Sequence, residues 1–431
     1  MKHVRVIEVR VWGQRVGAVA LDDRLGYYAF AYEPEWRRTA TELAPLTMPL
    51  EDRRTAFTFP NLPDATFHRL PGMLADALPD DFGNALIDAW MAERGFQKSE
   101  VTPLDRLAYM AKRGVGALEF KPARGSHSES ATPLEMKSLV ENARKLVEGN
   151  LSIDAHAKAA IANIIQVGTS AGGARAKAVI AWNPKTNTIR SGQFDAAEGF
   201  EHWILKFDGV GRYPELGAGA DYGRIEYAYH LMAKAAGIDM SDCRLLEENA
   251  RAHFMTRRFD REVTNGRTIK HHVQTLCAMD HLDFKQRGTH TYAQFFMAVA
   301  RLNLGDRALE QVFRRMAFNV MARNCDDHTK NFAFLLKQGG VWELAPAYDV
   351  THAYNPRGEW TYQHLMSVNG KFKEIAREDL LTEAERFSVS RPGDLLKDVR
   401  CALEGWPTFS KEAGLSNSAS GRVAKDFHLL R

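Results

Sequence analysis

The run from Phe318 to Asn331, Phe-Asn-Val-Met-Ala-Arg-Asn-Cys-Asp-Asp-His-Thr-Lys-Asn, constrains this chain more than any other. It reads as an apolar helix ending in a polar cluster. Phe332–Leu336 follows as a strand, Lys337-Gln338-Gly339-Gly340 as a turn, and Val341–Leu344 as the returning strand. A hairpin brings its own ends together. The returning strand therefore delivers Ala345-Pro346-Ala347-Tyr348-Asp349-Val350 beside Asn331, and Asp349 rejoins a cluster from which it is well separated in sequence.

Asp326 and Asn331 stand five positions apart, the spacing at which protein kinases place a catalytic aspartate and a magnesium-holding asparagine. Asp349 then takes the topological place of the kinase DFG aspartate, without those letters, as a second candidate magnesium ligand. Phosphoryl transfer asks little covalent help of a protein. It does need an oriented hydroxyl and cations clamping the phosphates, so carboxylate and amide oxygens must converge. Lys206, inside the strand-like Trp203-Ile204-Leu205-Lys206-Phe207, supplies a cation for phosphate, with Glu226 as a candidate ion-pair partner.

Each residue alone has an ordinary explanation: Asp326 and Asp349 as helix caps, Asp327 and His328 as solvated loop residues, Lys206 as an edge-strand lysine, Glu226 as an exposed first-turn acid. The ordered set favours the site. Gly168–Lys177 is rich in small residues that let backbone N–H groups approach phosphates, but its lysine does not match Walker spacing, and alone it reads as a turn. Gly209–Gly223 reads as a connector. His271-His272 lacks metal-ligand spacing, and a metallohydrolase centred on Asp326-Asp327-His328 lacks further ligands.

With 431 residues, 45% apolar and 26% charged, the chain has material for two or three folding units, and disorder is excluded. A net charge of +3 is too small to imply a nucleic-acid or membrane partner. Four scattered cysteines form no C-x-x-C pair, no stretch has membrane-spanning length, and the start lacks the apolar core of a secretory signal. A cytoplasmic protein is expected. Strands at Val4–Trp12, Val16–Leu21 and Tyr27–Tyr32 suggest a meander, followed by a helix after Leu78-Pro79-Asp80-Asp81-Phe82-Gly83. The Ser-rich stretch Pro122–Pro133 reads as a linker. Ala178–Trp182 and Trp203–Phe207 read as buried strands, and Ile225, Ala228, Tyr229, Met232 and Ala236 mark one helix face ended by Gly237. His253–Arg258 is the last strand before the turn Asn265-Gly266, after which helical patterns dominate. The boundaries are a β-rich part over 1–122, a nucleotide-binding part over 123–259 and a helical part over 260–431.

These motifs together resemble the HipA family of bacterial toxin kinases, over nearly the whole length. The likeness is carried by the Leu78–Gly83 segment, Gly114-Val115-Gly116-Ala117-Leu118, Thr169–Lys177, Ile204-Leu205-Lys206, Arg258-Phe259-Asp260-Arg261, Asn324–Asn331 and Leu344–Val350. The resemblance implies an α+β, two-lobed protein-kinase-like fold with a sheet-containing N-terminal lobe and a mainly helical C-terminal lobe. It implies ATP and Mg2+ as cofactors and transfer of phosphate to Ser/Thr of a protein substrate, an aminoacyl-tRNA synthetase being one class known in the family. Asp326 is then the catalytic aspartate. Asn331 and Asp349 are magnesium ligands, and Lys206, His328, Asn331, Gly172, Gly173 and Ala174 contact the nucleotide, with Arg257 and Phe259 at the adenine hinge. Ser170, beside Thr169, is the implied autophosphorylation site that switches the enzyme off. The implied partner is a HipB-like helix-turn-helix antitoxin, through which operator DNA is reached. The alternatives are a catalytically silent nucleotide-binding co-repressor and a small-molecule phosphotransferase.

Overall fold

The computed structural model describes residues 2–79, 81–124, 175–193, 195–211, 221–248 and 251–430. The chain is α+β and divides into two compact units. One comprises Met1–Ala220, Leu246–Val273 and Leu336–Gly340, and the other Asp221–Leu245, Gln274–Leu335 and Val341–Arg431.

The first unit opens with the expected meander: β1 (Val6–Val11), β2 (Gln14–Asp22) and β3 (Tyr27–Tyr32). The alternation in β1 explains its placement, because Ile7, Val9 and Val11 are fully buried while Glu8 and Arg10 face outward and pair with each other. β4 (Leu118–Lys121) adds to the other edge of β1, giving the order β3-β2-β1-β4. A second, antiparallel sheet has the order β6-β5-β7-β9-β8, from β5 (Arg175–Asn183), β6 (Thr188–Ser191), β7 (Glu201–Gly211), β8 (Cys243–Glu248) and β9 (Arg251–Arg257). β5 starts three residues before the apolar run that signals it, so Lys177 lies inside the strand. Trp182 on β5 and Trp203 on β7 meet edge to face with ring centres 5.7 Å apart.

Two of the sequence motifs in this unit meet in a buried ion cluster. Asp260 is 3% exposed and accepts from Arg258 Nε and a terminal nitrogen at 2.9 and 2.7 Å, from Arg261 at 2.8 Å and from the Gly116 backbone at 2.8 Å. The same two arginines donate to the Gly114 carbonyl, and Arg261 also to that of Gly116. Gly116 has φ +79°, and a Cβ there would stand 3.1 Å from the Val273 nitrogen, so the turn requires glycine. Burial opposes the Asp260 charge, but both guanidinium groups hold its carboxyl well below the usual range. Beyond Asp260 the expected turn Asn265-Gly266 precedes the helical part. A hairpin, Arg261–Thr264 with Arg267–Lys270, comes first, and the first helix begins at Leu276.

In the second unit the helix Tyr222–Ala235 buries Ala228, Tyr229 and Met232 on the expected face, and Gly237 follows with φ +76°. Glu226 is 2% exposed rather than a surface acid. The helix Asp306–Met321 buries Met316, Ala317, Phe318, Val320 and Met321 and carries the chain to the polar cluster. Among the described residues no helix is long and apolar enough to cross a membrane.

Asp260→Ala is expected to leave two buried guanidinium groups uncompensated and to destabilise the protein by about 3–5 kcal/mol. Urea denaturation followed by circular dichroism measures this, and a loss below about 1 kcal/mol would show the cluster to be dispensable.

Candidate active site

The helix Asp306–Met321 ends because Arg323 adopts the left-handed conformation (φ 55°), and the Asn324 N–H turns back to the Asn319 carbonyl at 3.0 Å. This reversal sets the start of the Asn324–Asn331 loop. The loop is pinned on its far side by Thr329, whose hydroxyl donates to the Leu282 carbonyl at 2.7 Å. Asn331 closes it, donating through its amide to the Asp326 carbonyl at 2.7 Å. That bond fixes which way the amide faces.

The hairpin returns as the sequence predicts, with strands Ala333–Leu336 and Trp342–Leu344 and the Ala345 N–H on the Ala333 carbonyl. Three bonds then hold the segment leading to Asp349. Arg315 donates to the Ala345 carbonyl at 2.8 Å, the Ala347 N–H donates to the Asp239 carbonyl at 2.8 Å, and the Tyr348 hydroxyl donates to the Lys330 carbonyl at 2.6 Å. Asp349 has φ 52°, a conformation aspartate tolerates better than most residues.

Asn331 and Asp349 line one small cavity of about 10 Å³, together with Asn319, Asn324, Asp327 and Arg315. Two of these residues carry buried atoms, Arg315 Nε and Asn324 Oδ1, without a hydrogen-bond partner among the described residues. The space suits about one water-sized ligand, and its lining supplies hard oxygen donors of the kind magnesium prefers. Among the described residues, those of this site included, no three His, Cys, Asp or Glu side chains are arranged to hold a metal by themselves, so any ion here would lean on amide oxygens as well.

Asp326 keeps a side-chain exposure of 40%. Its Oδ1 accepts from the Trp360 indole at 3.0 Å and lies 3.8 Å from His328 Nε2. Surrounding protein raises its affinity for a proton above that of an ordinary aspartate. Asp349 and Asp327 push the same way, and His328 and Trp360 oppose them.

Asp327 is no solvated loop residue. It is 1% exposed and accepts from the Tyr292 hydroxyl at 2.8 Å, from His364 Nδ1 at 3.0 Å and from the Leu365 N–H at 2.7 Å. Asn319 and Asn324 extend the chain of bonds, at 2.9 Å each. His364 Nε2 lies 3.8 Å from Cys325 Sγ. Burial disfavours imidazolium, yet Asp327 more than offsets it and raises the His364 pKa to about 10.

The remaining sequence-predicted residues lie in the first unit. Lys206 on β7 is 9% exposed, with its ammonium 5.5 Å from the Phe254 ring centre, and its register partner across the sheet is Lys177, 7% exposed. Arg257 ends β9 with its side chain exposed, 3.8 Å from Glu201, and Phe259 follows the strand half-buried. Thr169, Ser170, Gly172, Gly173 and Ala174 lie outside the described residues. The sequence reading missed Trp360 and His364, and weighed Lys177 only as a lysine without Walker spacing. Only Lys177 carried a local signal, since alternation continued from Ala181 and Val179 places it on the same sheet face.

A family model for the HipA-like C-terminal domain matches residues 169–406, and one for the HipA N-terminal domain matches residues 7–121. The chain belongs to the HipA family. Its fold is that of HipA in the structure described as the Shewanella oneidensis MR-1 toxin–antitoxin system HipA, HipB and its operator DNA complex. The two are 17% identical with a TM-score of 0.66, over 97% of this chain and 94% of that one. The Helicobacter pylori proinflammatory kinase CtkA matches 52% of this chain and 91% of its own at 12% identity, with a TM-score of 0.32.

The His364–Asp327 pair predicts a pH-dependent stability. A histidine whose pKa rises on folding adds stability that is full below its unfolded pKa of roughly 6.5 and is lost as pH climbs through the folded value, about 10. The stability gap between the native protein and His364→Asn is therefore expected to be largest at pH 6 and to shrink steadily towards pH 10. Urea midpoints across that range measure it, and a gap that widened with pH would contradict the charged pair.

Proposed function

We propose that this chain is a HipA-type protein kinase that uses ATP and magnesium to phosphorylate serine or threonine of a protein substrate and thereby restrains growth. The observation that carries the reading is the convergence of Asp326, Asn331 and Asp349 at the end of one helix and one hairpin, in a member of the HipA family. Asn331 and Asp349 would hold the magnesium, which when bound neutralises charge on the phosphates. Asp326 would orient the substrate hydroxyl and accept its proton, a role favoured by a carboxylate with raised proton affinity. Lys206, with Lys177 opposite it, would meet phosphate oxygens. The glycine-rich segment with Gly172, Gly173 and Ala174 would cover them, and His328 and the Arg257–Phe259 backbone would complete the nucleotide contacts.

The regulatory reading follows the family. A HipB-like helix-turn-helix protein neutralises the toxin and carries the complex to operator DNA, and phosphorylation of Ser170 or Thr169 silences the kinase by adding about −1.5 to −2 charges where ATP phosphates would bind. The substrate is a cytoplasmic protein, an aminoacyl-tRNA synthetase being one class the family suggests.

Asp326→Asn and Asp349→Asn are each expected to lower phosphate transfer from γ-labelled ATP by 10²-fold or more, and to relieve growth inhibition, while circular dichroism stays native. Comparing phosphoproteomes of cells expressing the native and Asp326→Asn proteins would identify the substrate. Undiminished labelling by both variants would exclude the assignment. Nucleotide binding without turnover in the native protein would favour a silent co-repressor, and label on a small molecule an antibiotic-type phosphotransferase.

A further inference from the structure

The loop bearing Asp326 and Asp327 is gripped by one short segment of the same unit, Trp360–Leu365, through three bonds. The Trp360 indole donates to Asp326 Oδ1, His364 Nδ1 lies against Asp327 Oδ2, and the Leu365 backbone donates to Asp327 Oδ1. The two grips differ in surroundings. His364 and Leu365 are buried at 1% and 3%, and Asp327 at 1%, so breaking that end would leave a buried charge uncompensated. Trp360 is half-buried, and Asp326 is open to solvent on one side. The buried end thus sets where Trp360 stands, and Trp360 sets how the Asp326 carboxylate is turned.

Further contacts steady the indole. The Arg287 guanidinium lies 5.7 Å from the Trp360 ring centre, and Arg287 is itself held by the Glu359 carboxylate at 3.0 Å and by the Glu359 carbonyl. Trp360 and His328 both approach Oδ1, and Oδ2 receives no hydrogen bond from the described residues. A carboxylate with one oxygen occupied and the other bare is oriented rather than merely neutralised.

We propose that Trp360 is a positioning residue for the kinase step, fixing the Asp326 carboxylate so that Oδ2 faces the incoming substrate hydroxyl. The inference rests on the kinase reading above and deepens it. The bond is made to a group that must receive a proton, so losing it affects the chemical step and not nucleotide affinity. Misplacement of a reacting group by about 1 Å costs up to 10²-fold in rate. A cover that blocks Asp326 in the resting protein would have the opposite effect, because removing it would speed the reaction.

The test uses the full chain, MgATP labelled at the γ-phosphate, and casein as acceptor, with label on the chain itself counted separately. Trp360→Phe keeps an aromatic ring and loses the N–H; Trp360→Leu loses both. Both variants are expected to show kcat reduced roughly 10- to 100-fold, KM for ATP within twofold of native, and a melting temperature within a few degrees. A native or raised kcat in Trp360→Phe would overturn the proposal, as would a loss confined to Trp360→Leu, which would mark packing rather than the hydrogen bond. A rise in KM for ATP matching the fall in kcat would overturn it too. Asp326→Asn separates the two readings. Label transferred by the native chain and not by Asp326→Asn sustains the kinase reading whatever Trp360 does, and a native chain that transfers no label removes both.

Discussion

The architecture of the second unit depends on how one buried negative charge is satisfied. Asp327 sits at 1% exposure, where an unpartnered carboxylate would cost several kcal/mol. Its three partners come from places far apart in sequence: Tyr292 from the helix Tyr292–Arg301, and His364 and Leu365 from beyond the hairpin. Meeting them ties the start of one helix, the loop after another and a late irregular segment to one point. The residue next to that point is Asp326. A carboxylate that must stay partly exposed, as the kinase reading requires of Asp326, cannot anchor itself, and here its neighbour in sequence does so.

The first unit uses the same device for a different purpose. Asp260 is surrounded by Arg258, Arg261 and the Gly116 N–H, and the arginines in turn satisfy the carbonyls of Gly114 and Gly116. The cluster ties the Gly114–Gly116 turn to the segment that follows β9 through polar bonds. Each such cluster is energetically demanding, since its strength depends on every polar atom having a partner. In return, removing one member would leave buried charge uncompensated, a penalty that apolar packing alone does not impose.

What could be read from the sequence follows from this. Strands with alternating burial, such as β1, and the apolar face of Tyr222–Ala235 are legible because periodicity records burial directly. The hairpin delivering Asp349 is legible because two short apolar runs flank a Lys-Gln-Gly-Gly turn. The role of Asp327 was not legible: an acid next to an acid in a polar loop has the pattern of a solvated turn, and its partners lie 35 to 38 positions away. Trp360 is hidden for the same reason, 34 positions from Asp326 in a stretch without periodicity. Glu226 looked like a surface acid and is buried. Burial of a polar residue is decided by distant partners, and no local pattern announces it.

Lys177 and Lys206 carry the same logic to the nucleotide end of the proposed chemistry. They are register partners on adjacent antiparallel strands, both under 10% exposed, with side chains on the same face of the sheet. Directly opposed like charges weaken a sheet, and desolvation adds to the cost. A sheet needing only stability would place apolar residues at both positions, as it does one step along, where Ala178 faces Leu205. Two lysines at one register position in a poorly solvated place suit a strand pair that serves an anionic ligand, and in the kinase reading that ligand is the polyphosphate.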